Sequence, residues 1–174
     1  MRRKLTSGEY NNRRAACEEA VTLLQQYLPT IKSLRDVSVD DFNRLEKNLP
    51  REVGRRARHV VEEIARVKQA ERSLEAGSIR AFGNLMNECH VSLRELYEVS
   101  CPELDVMTRI AGSLDGCYGA RLTGAGFGGC TVNVVEKSFA EKFSIALAKR
   151  YEEETRLAPQ VYISHPANGA ELLR

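Results

Sequence analysis

Apolar residues recur at helical spacing along most of the chain, and the period then changes. Cys17, Ala20, Val21, Leu24, Tyr27 and Leu28 share one face of a helix predicted over 12–28, which Pro29 brings to an end. Residues 31–50 are less regular; 37–49 reads as a short helix with Ser38 or Asp40 as its cap and Pro50 after it. Val53, Ala57, Val60, Ile64, Val67 and Leu74 then form one long stripe. Arg55, Arg56, Glu62, Glu63, Arg66 and Lys68 lie on the opposite face, and Gly77 is the end signal. Ile79, Phe82, Met86, Cys89, Leu93 and Leu96 predict a fourth helix. Pro102 fits a first helical turn after a Ser100 or Cys101 cap, followed by Leu104, Met107, Ile110 and Ala111.

Near residue 115 the period switches. Residues 118–122 are short and strand-like, and 131–135 alternate with β-branched side chains. Phe139, Phe143, Ile145, Ala146 and Tyr151 predict a further helix. Residues 160–164 read as a strand with Val161 and Ile163 on one face, and 170–173 as a last short one. The expected class is α+β, an antiparallel sheet covered by a layer of helices.

Composition narrows the function classes. A chain of 174 residues buries roughly 70% of its unfolded surface and needs no staple to fold. Lys and Arg total 26 against 24 Asp and Glu, a net +2, so there is no broad field for nucleic acid or anionic lipid. No apolar run approaches the roughly 20 residues of a membrane helix. The five cysteines, Cys17, Cys89, Cys101, Cys117 and Cys130, form no CxxC pair, which argues for reduced thiols. His59, His90 and His165 have no zinc-like spacing, so no metal ligand set is assigned.

The richest segment is RLTGAGFGGC at 121–130. Glycines crowd a chain that needs φ > 0 or close approach to the main chain, and successive N–H groups there can converge on an anion. Gly124, Gly126 and Gly129 satisfy GxGxxG, but a strand follows where a dinucleotide fold needs a helix. A protein-kinase loop lies between strands, yet the valine, lysine, HRD and DFG elements are missing. On glycine content alone a hairpin without a ligand remains open.

RLTGAGFGGCTVNVV closely resembles the C-terminal glycine-rich motif of galactokinases, a family of GHMP small-molecule kinases. LTSGEYNNRRAACEEAV at 5–21, LMNECHVSLRELYEVSCPELD at 85–105 and VYISHPANGA at 161–170 resemble further family segments in family order, with Cys89 where Ser is usual. The resemblance implies the GHMP kinase C-terminal fold, with a ferredoxin-like antiparallel sheet and extra helices. It implies transfer of the ATP γ-phosphoryl group to the C1 hydroxyl of galactose, with ATP and Mg2+ as cofactors. It places galactose at Tyr10, and the nucleotide phosphates beside Thr123, Gly124, Ala125, Gly126, Phe127, Gly128 and Gly129.

The family's GRVNLIGEHTDY-like segment, its catalytic aspartate and its P-x-G-x-GLSSSA loop are not found in this chain. The resemblance therefore implies one C-terminal domain over 1–174, helical over about 12–113 and glycine loop plus sheet over about 117–173. The N-terminal kinase domain is expected to be absent. No catalytic residue is assigned, and the chain alone is expected to be inactive. The intact enzyme is expected to be cytoplasmic and monomeric, with galactose, ATP and the N-terminal domain as partners and with neither nucleic acid nor membrane.

Two other readings stay open. One is a kinase-derived sensing or partner-binding module, favoured only by the basic residues Arg2, Arg3 and Lys4 and the run 51–58. The other is a related hexose such as N-acetylgalactosamine. His90 is read as structural, and adjacent Cys89 and His90 point apart on a helix, against a catalytic dyad. Arg13 and Arg14 could reach a phosphate, but such a pair is more often solvated or bound to Glu18.

Overall fold

The structure is a computed structural model, and it describes residues 7–169. The described residues form α1 (Ser7–Leu24), α2 (Val39–Leu45), α3 (Arg51–Glu75), α4 (Ile79–Glu95), α5 (Pro102–Gly112), β1 (Cys117–Thr123), β2 (Cys130–Val135) and α6 (Ala140–Thr155). The expected α+β class holds, with two antiparallel strands in the sheet among the described residues.

Local chemistry sets the boundaries. The Ser38 hydroxyl accepts the Asp41 N–H at 3.0 Å and opens α2. Pro102 occupies the first turn of α5, where its missing N–H costs nothing. α1 stops at Leu24, short of Pro29, because the chain tightens into a turn there; the Gln25 amide donates to the Ile31 carbonyl at 2.9 Å.

Three apolar clusters follow from these elements. Ala20 and Leu24 of α1 meet Phe42 and Leu45 of α2 and Val53, Ala57 and Val61 of α3. Ile110 and Ala111 of α5 pack with Ala120 of β1 and Phe143, Leu147 and Tyr151 of α6. Between them, Cys89, Leu93, Val99, Leu104 and Leu122 form a third cluster, which Phe127 of the glycine loop joins. The stripe expected along all of α3 is cut short. Beyond Val61 no residue of this helix is buried, and Val67 and Leu74 are exposed, because α3 outruns the elements packed on its first half.

β1 and β2 pair antiparallel, with Leu122 opposite Thr131 and Thr123 opposite Cys130. α4 lies along the other edge of β1 and takes the place of a further strand. Gly83, Asn87 and His90 recur at i, i+4 and i+7 on its facing side. Asn87 Oδ1 accepts the Ala120 N–H at 2.9 Å, and His90 Nδ1 accepts the Leu122 N–H at 3.3 Å. A side chain thus satisfies strand donors that would otherwise stand open. Contact at Gly83 is main chain to main chain: a Cβ there would lie 2.0 Å from the Tyr118 carbonyl oxygen.

One expected strand does not form. Residues 160–164 form no regular element, and Val161, Tyr162 and Ile163 are exposed, Tyr162 at 82%. A strand is stable only against a partner. α4 already covers the open edge of β1, and this segment does not reach β2. The strand expected at 170–173 lies outside the described residues, as do Arg2, Arg3 and Lys4.

Gly83→Ala should therefore lower stability by about 3 kcal/mol, the upper range for overpacking. Gly112→Ala, whose added Cβ meets nothing within 4 Å, should change it by less than about 0.5 kcal/mol. Urea denaturation of both variants checks the contrast.

Candidate functional site

The β1–β2 connection is a ring of left-handed residues. Gly124, Gly126, Gly128 and Gly129 have φ of +85°, +79°, +119° and +98°, and Phe127 joins them at +57°. Its two sides differ. On the inner side Gly126 lies against Val99, so closely that a Cβ would sit 2.1 Å from the Val99 carbonyl oxygen. The Phe127 N–H donates to that same carbonyl at 2.7 Å. On the outer side a Cβ on Gly124 or Gly129 would meet nothing within 4 Å, so the main chain there is open to a ligand.

The loop is held in place by the turn that follows α4. The Glu95, Leu96, Tyr97 and Glu98 carbonyls accept hydrogen bonds from Arg55, Arg56, Arg13 and Arg13 respectively. Glu98 itself sits at φ +52°, and its carboxylate pairs with Arg55 at 2.6 Å and with Arg56. The bonds from Arg56, then Arg55, hold that carboxyl below the usual carboxylate range. Arg56 is buried and also reaches Glu52 at 3.1 Å, so its charge is matched where water is scarce.

A layer of buried polar groups lies beneath. The His59 ring stacks on Tyr97 with centroids 4.5 Å apart, and its Nδ1 lies 2.8 Å from Ser92 Oγ. Burial lowers His59 to about 4 and raises the Tyr97 hydroxyl to about 12. His90 accepts the Leu122 N–H at Nδ1, so its proton sits on Nε2, 3.1 Å from Asp105 Oδ1 and 2.9 Å from Thr108 Oγ1. Burial lowers the His90 pKa as well. His90 thereby joins α4, α5 and the end of β1 and fixes the strand that leads into the loop.

Tyr10 lies near the start of α1 and is 56% exposed. Thr123 ends β1 and is exposed at the loop's entrance. Arg14 does pair with Glu18, at 2.8 Å, as the sequence led us to expect. Arg13 does not: it turns inward to the 97–98 carbonyls, with its guanidinium 5.7 Å from the Phe127 ring centroid. Cys89 donates to Glu63 Oε1 at 2.9 Å, and burial pushes its thiol up to about 12, so it is no nucleophile. Most of the basic run 51–58 is paired internally, since Arg55, Arg56 and Arg58 all bind acidic side chains. Among the described residues no group of three or more His, Cys, Asp or Glu could hold a metal ion. No described helix is long and apolar enough to cross a membrane.

The glycine-rich hairpin lies within residues 70–153, which match the model of the family described as GHMP kinases C terminal. Residues 70–153 thus carry a GHMP kinase C-terminal domain. Within that class its relatives are galactokinases. The galactokinase of Roseiflexus sp. (strain RS-1) is 48% identical over 167 residues, which is 96% of this chain and 43% of the relative. That of Homo sapiens is 43% identical over 173 residues, 99% of this chain and 42% of the relative. The crystal structure of Lactococcus lactis galactokinase complexed with galactose matches 91% of this chain and 41% of that one, with a TM-score of 0.86 and 37% identity. The chain spans about two fifths of the length of the curated relatives it matches.

The buried imidazole makes stability fall with acid. The folded value for His59 is about 4 against 6.5 for the free side chain, so the unfolded chain binds the proton first. His59 contributes its full stabilisation above pH 6.5 and loses it as pH falls toward 4. That loss is about 2 kcal/mol by pH 5. Urea midpoints at pH 7 and pH 5 should differ accordingly in the wild type and much less in His59→Phe; equal slopes would rule the account out.

Proposed function

We propose that this chain forms the C-terminal wall of a galactokinase-type active site, which phosphorylates galactose at the C1 hydroxyl with ATP to give galactose 1-phosphate. The observation that carries the reading is the open outer face of the glycine loop at 124–129, braced from behind by Val99. Main-chain N–H groups of a glycine-rich turn can converge on an anion, and preorganised donors of this kind are what phosphoryl transfer uses. Thr123 adds a hydroxyl at the entrance. Tyr10 offers its phenol to a galactose oxygen. ATP supplies the phosphoryl group when bound.

The described residues contain no ligand cluster for Mg2+, so the metal would be held by phosphate oxygens and by groups outside them. The reading places the base and the main phosphate cradle in a further N-terminal kinase domain. The cleft would lie between that domain and this single C-terminal one, helical over about 12–113 and loop plus sheet over about 117–173. A monomeric cytoplasmic enzyme acting on galactose and ATP, without nucleic acid or membrane partners, fits the same reading. The sensing-module alternative loses part of its support, because Arg55, Arg56 and Arg58 of the 51–58 run bind this chain's own carboxylates.

Galactose-dependent ADP release tests the proposal. The chain alone should show none, and the chain mixed with a galactokinase N-terminal half should show activity. Tyr10→Phe in the mix should raise the KM for galactose about 10-fold, the loss of one hydrogen bond, and leave the KM for ATP alone. Activity of the isolated chain, or a Tyr10→Phe mix with an unchanged galactose KM, would refute these roles.

A further inference from the structure

We infer that Arg13 is a positioning residue that holds the sugar-side end of α1 and the phosphate-side glycine loop in one register. The inference rests on the roles proposed above for Tyr10 and the loop.

Arg13 follows Tyr10 by three residues and so lies on the same side of α1, one turn on. Its side chain is only 13% exposed, against 71% for its neighbour Arg14. Each of the three guanidinium nitrogens donates a hydrogen bond. Nη1 binds Glu9 at 2.7 Å, within the first turn of α1. Nε donates to the Tyr97 carbonyl at 2.9 Å and Nη2 to the Glu98 carbonyl at 3.1 Å. Its carbon lies 5.7 Å from the Phe127 ring centroid, within cation–π range. The next carbonyl along the turn, Val99, holds the Phe127 N–H at 2.7 Å.

One side chain thus touches both walls of the proposed site, directly at Phe127 and through the turn at Val99. Phe127 is the only non-glycine at positive φ in the loop, and the ring and the N–H of this one residue are its two points of attachment to the turn and α1. If that grip slackens, the loop and Tyr10 lose their common reference. The fork matters as much as the charge. A lysine keeps the ion pair with Glu9 but cannot donate to two carbonyls and lie flat on a ring at once.

The test compares wild type with Arg13→Gln, Arg13→Lys, Arg14→Gln and Phe127→Leu. The first readout is amide exchange of Phe127 in the chain itself, relative to buried amides of α5. Exchange should quicken at least 10-fold in both Arg13 variants and stay unchanged in Arg14→Gln. The second readout is kinetic, in the active mix. Both Arg13 variants should raise the KM for galactose and the KM for ATP together, each by about 5-fold, with kcat changed less. Phe127→Leu leaves α1 untouched and should raise only the KM for ATP.

Full rescue by Arg13→Lys would mean that charge alone matters and would overturn the inference. So would a fall in melting temperature with Phe127 exchange and both KM values unchanged. Should Arg13→Gln fail to fold, Arg13→Lys and Phe127→Leu still decide it. Failure of the functional reading looks different: no activity in the mix, yet Phe127 exchange still governed by Arg13.

Discussion

The turn between α4 and α5 is the constraint on which the site depends. Its successive carbonyls from Glu95 to Val99 are bonded from outside the turn. Arginines from α1 and α3 take four of them, and the glycine loop takes the fifth. Buried carbonyls need partners, and charged donors give the stronger bonds. Glu98 accepts a left-handed backbone here because the same arginines also bind its carboxylate. The turn in this way converts the packing of two helices into the position of a loop.

A second device fixes the strand that enters the loop. α4 sits on the edge of β1 through Gly83, and Asn87 and His90 accept the strand's N–H groups. His90 must stay neutral at Nδ1 to do this, and its Nε2–H is answered by Asp105 and Thr108. His90, read as structural from the sequence, is therefore a joint. The loop is braced from both ends, by β1 at Leu122 and by the turn at Val99, while its outer face stays open.

The sequence made much of this legible, and the misses share a cause. The Ser38 cap, Pro102 and the hairpin around the glycines are local signals, and each stands where the spacing put it, whereas the helix expected over 12–28 runs Ser7–Leu24. Family-like wording singled out the loop and Tyr10. What could not be read were choices made by tertiary contact. Arg13 and Arg14 are equivalent in sequence, yet one is buried against the turn and the other solvated. Asn87 carried no motif, and only the approach of β1 gives it a task; a glycine one turn earlier on the same face was the available clue. Val67 and Leu74 continue a stripe with nothing beneath them, and 160–164 has strand composition without a strand to pair with.

The central claim is that the braced loop presents its main chain to nucleotide phosphates while Tyr10 faces the sugar. Amide NMR of the chain, titrated separately with millimolar ATP and with galactose, tests this most directly. The account predicts that ATP shifts the Gly124 and Gly129 amides and that galactose shifts those around Tyr10. ATP-induced shifts confined to other parts of the chain, with the glycine amides unmoved, would contradict it.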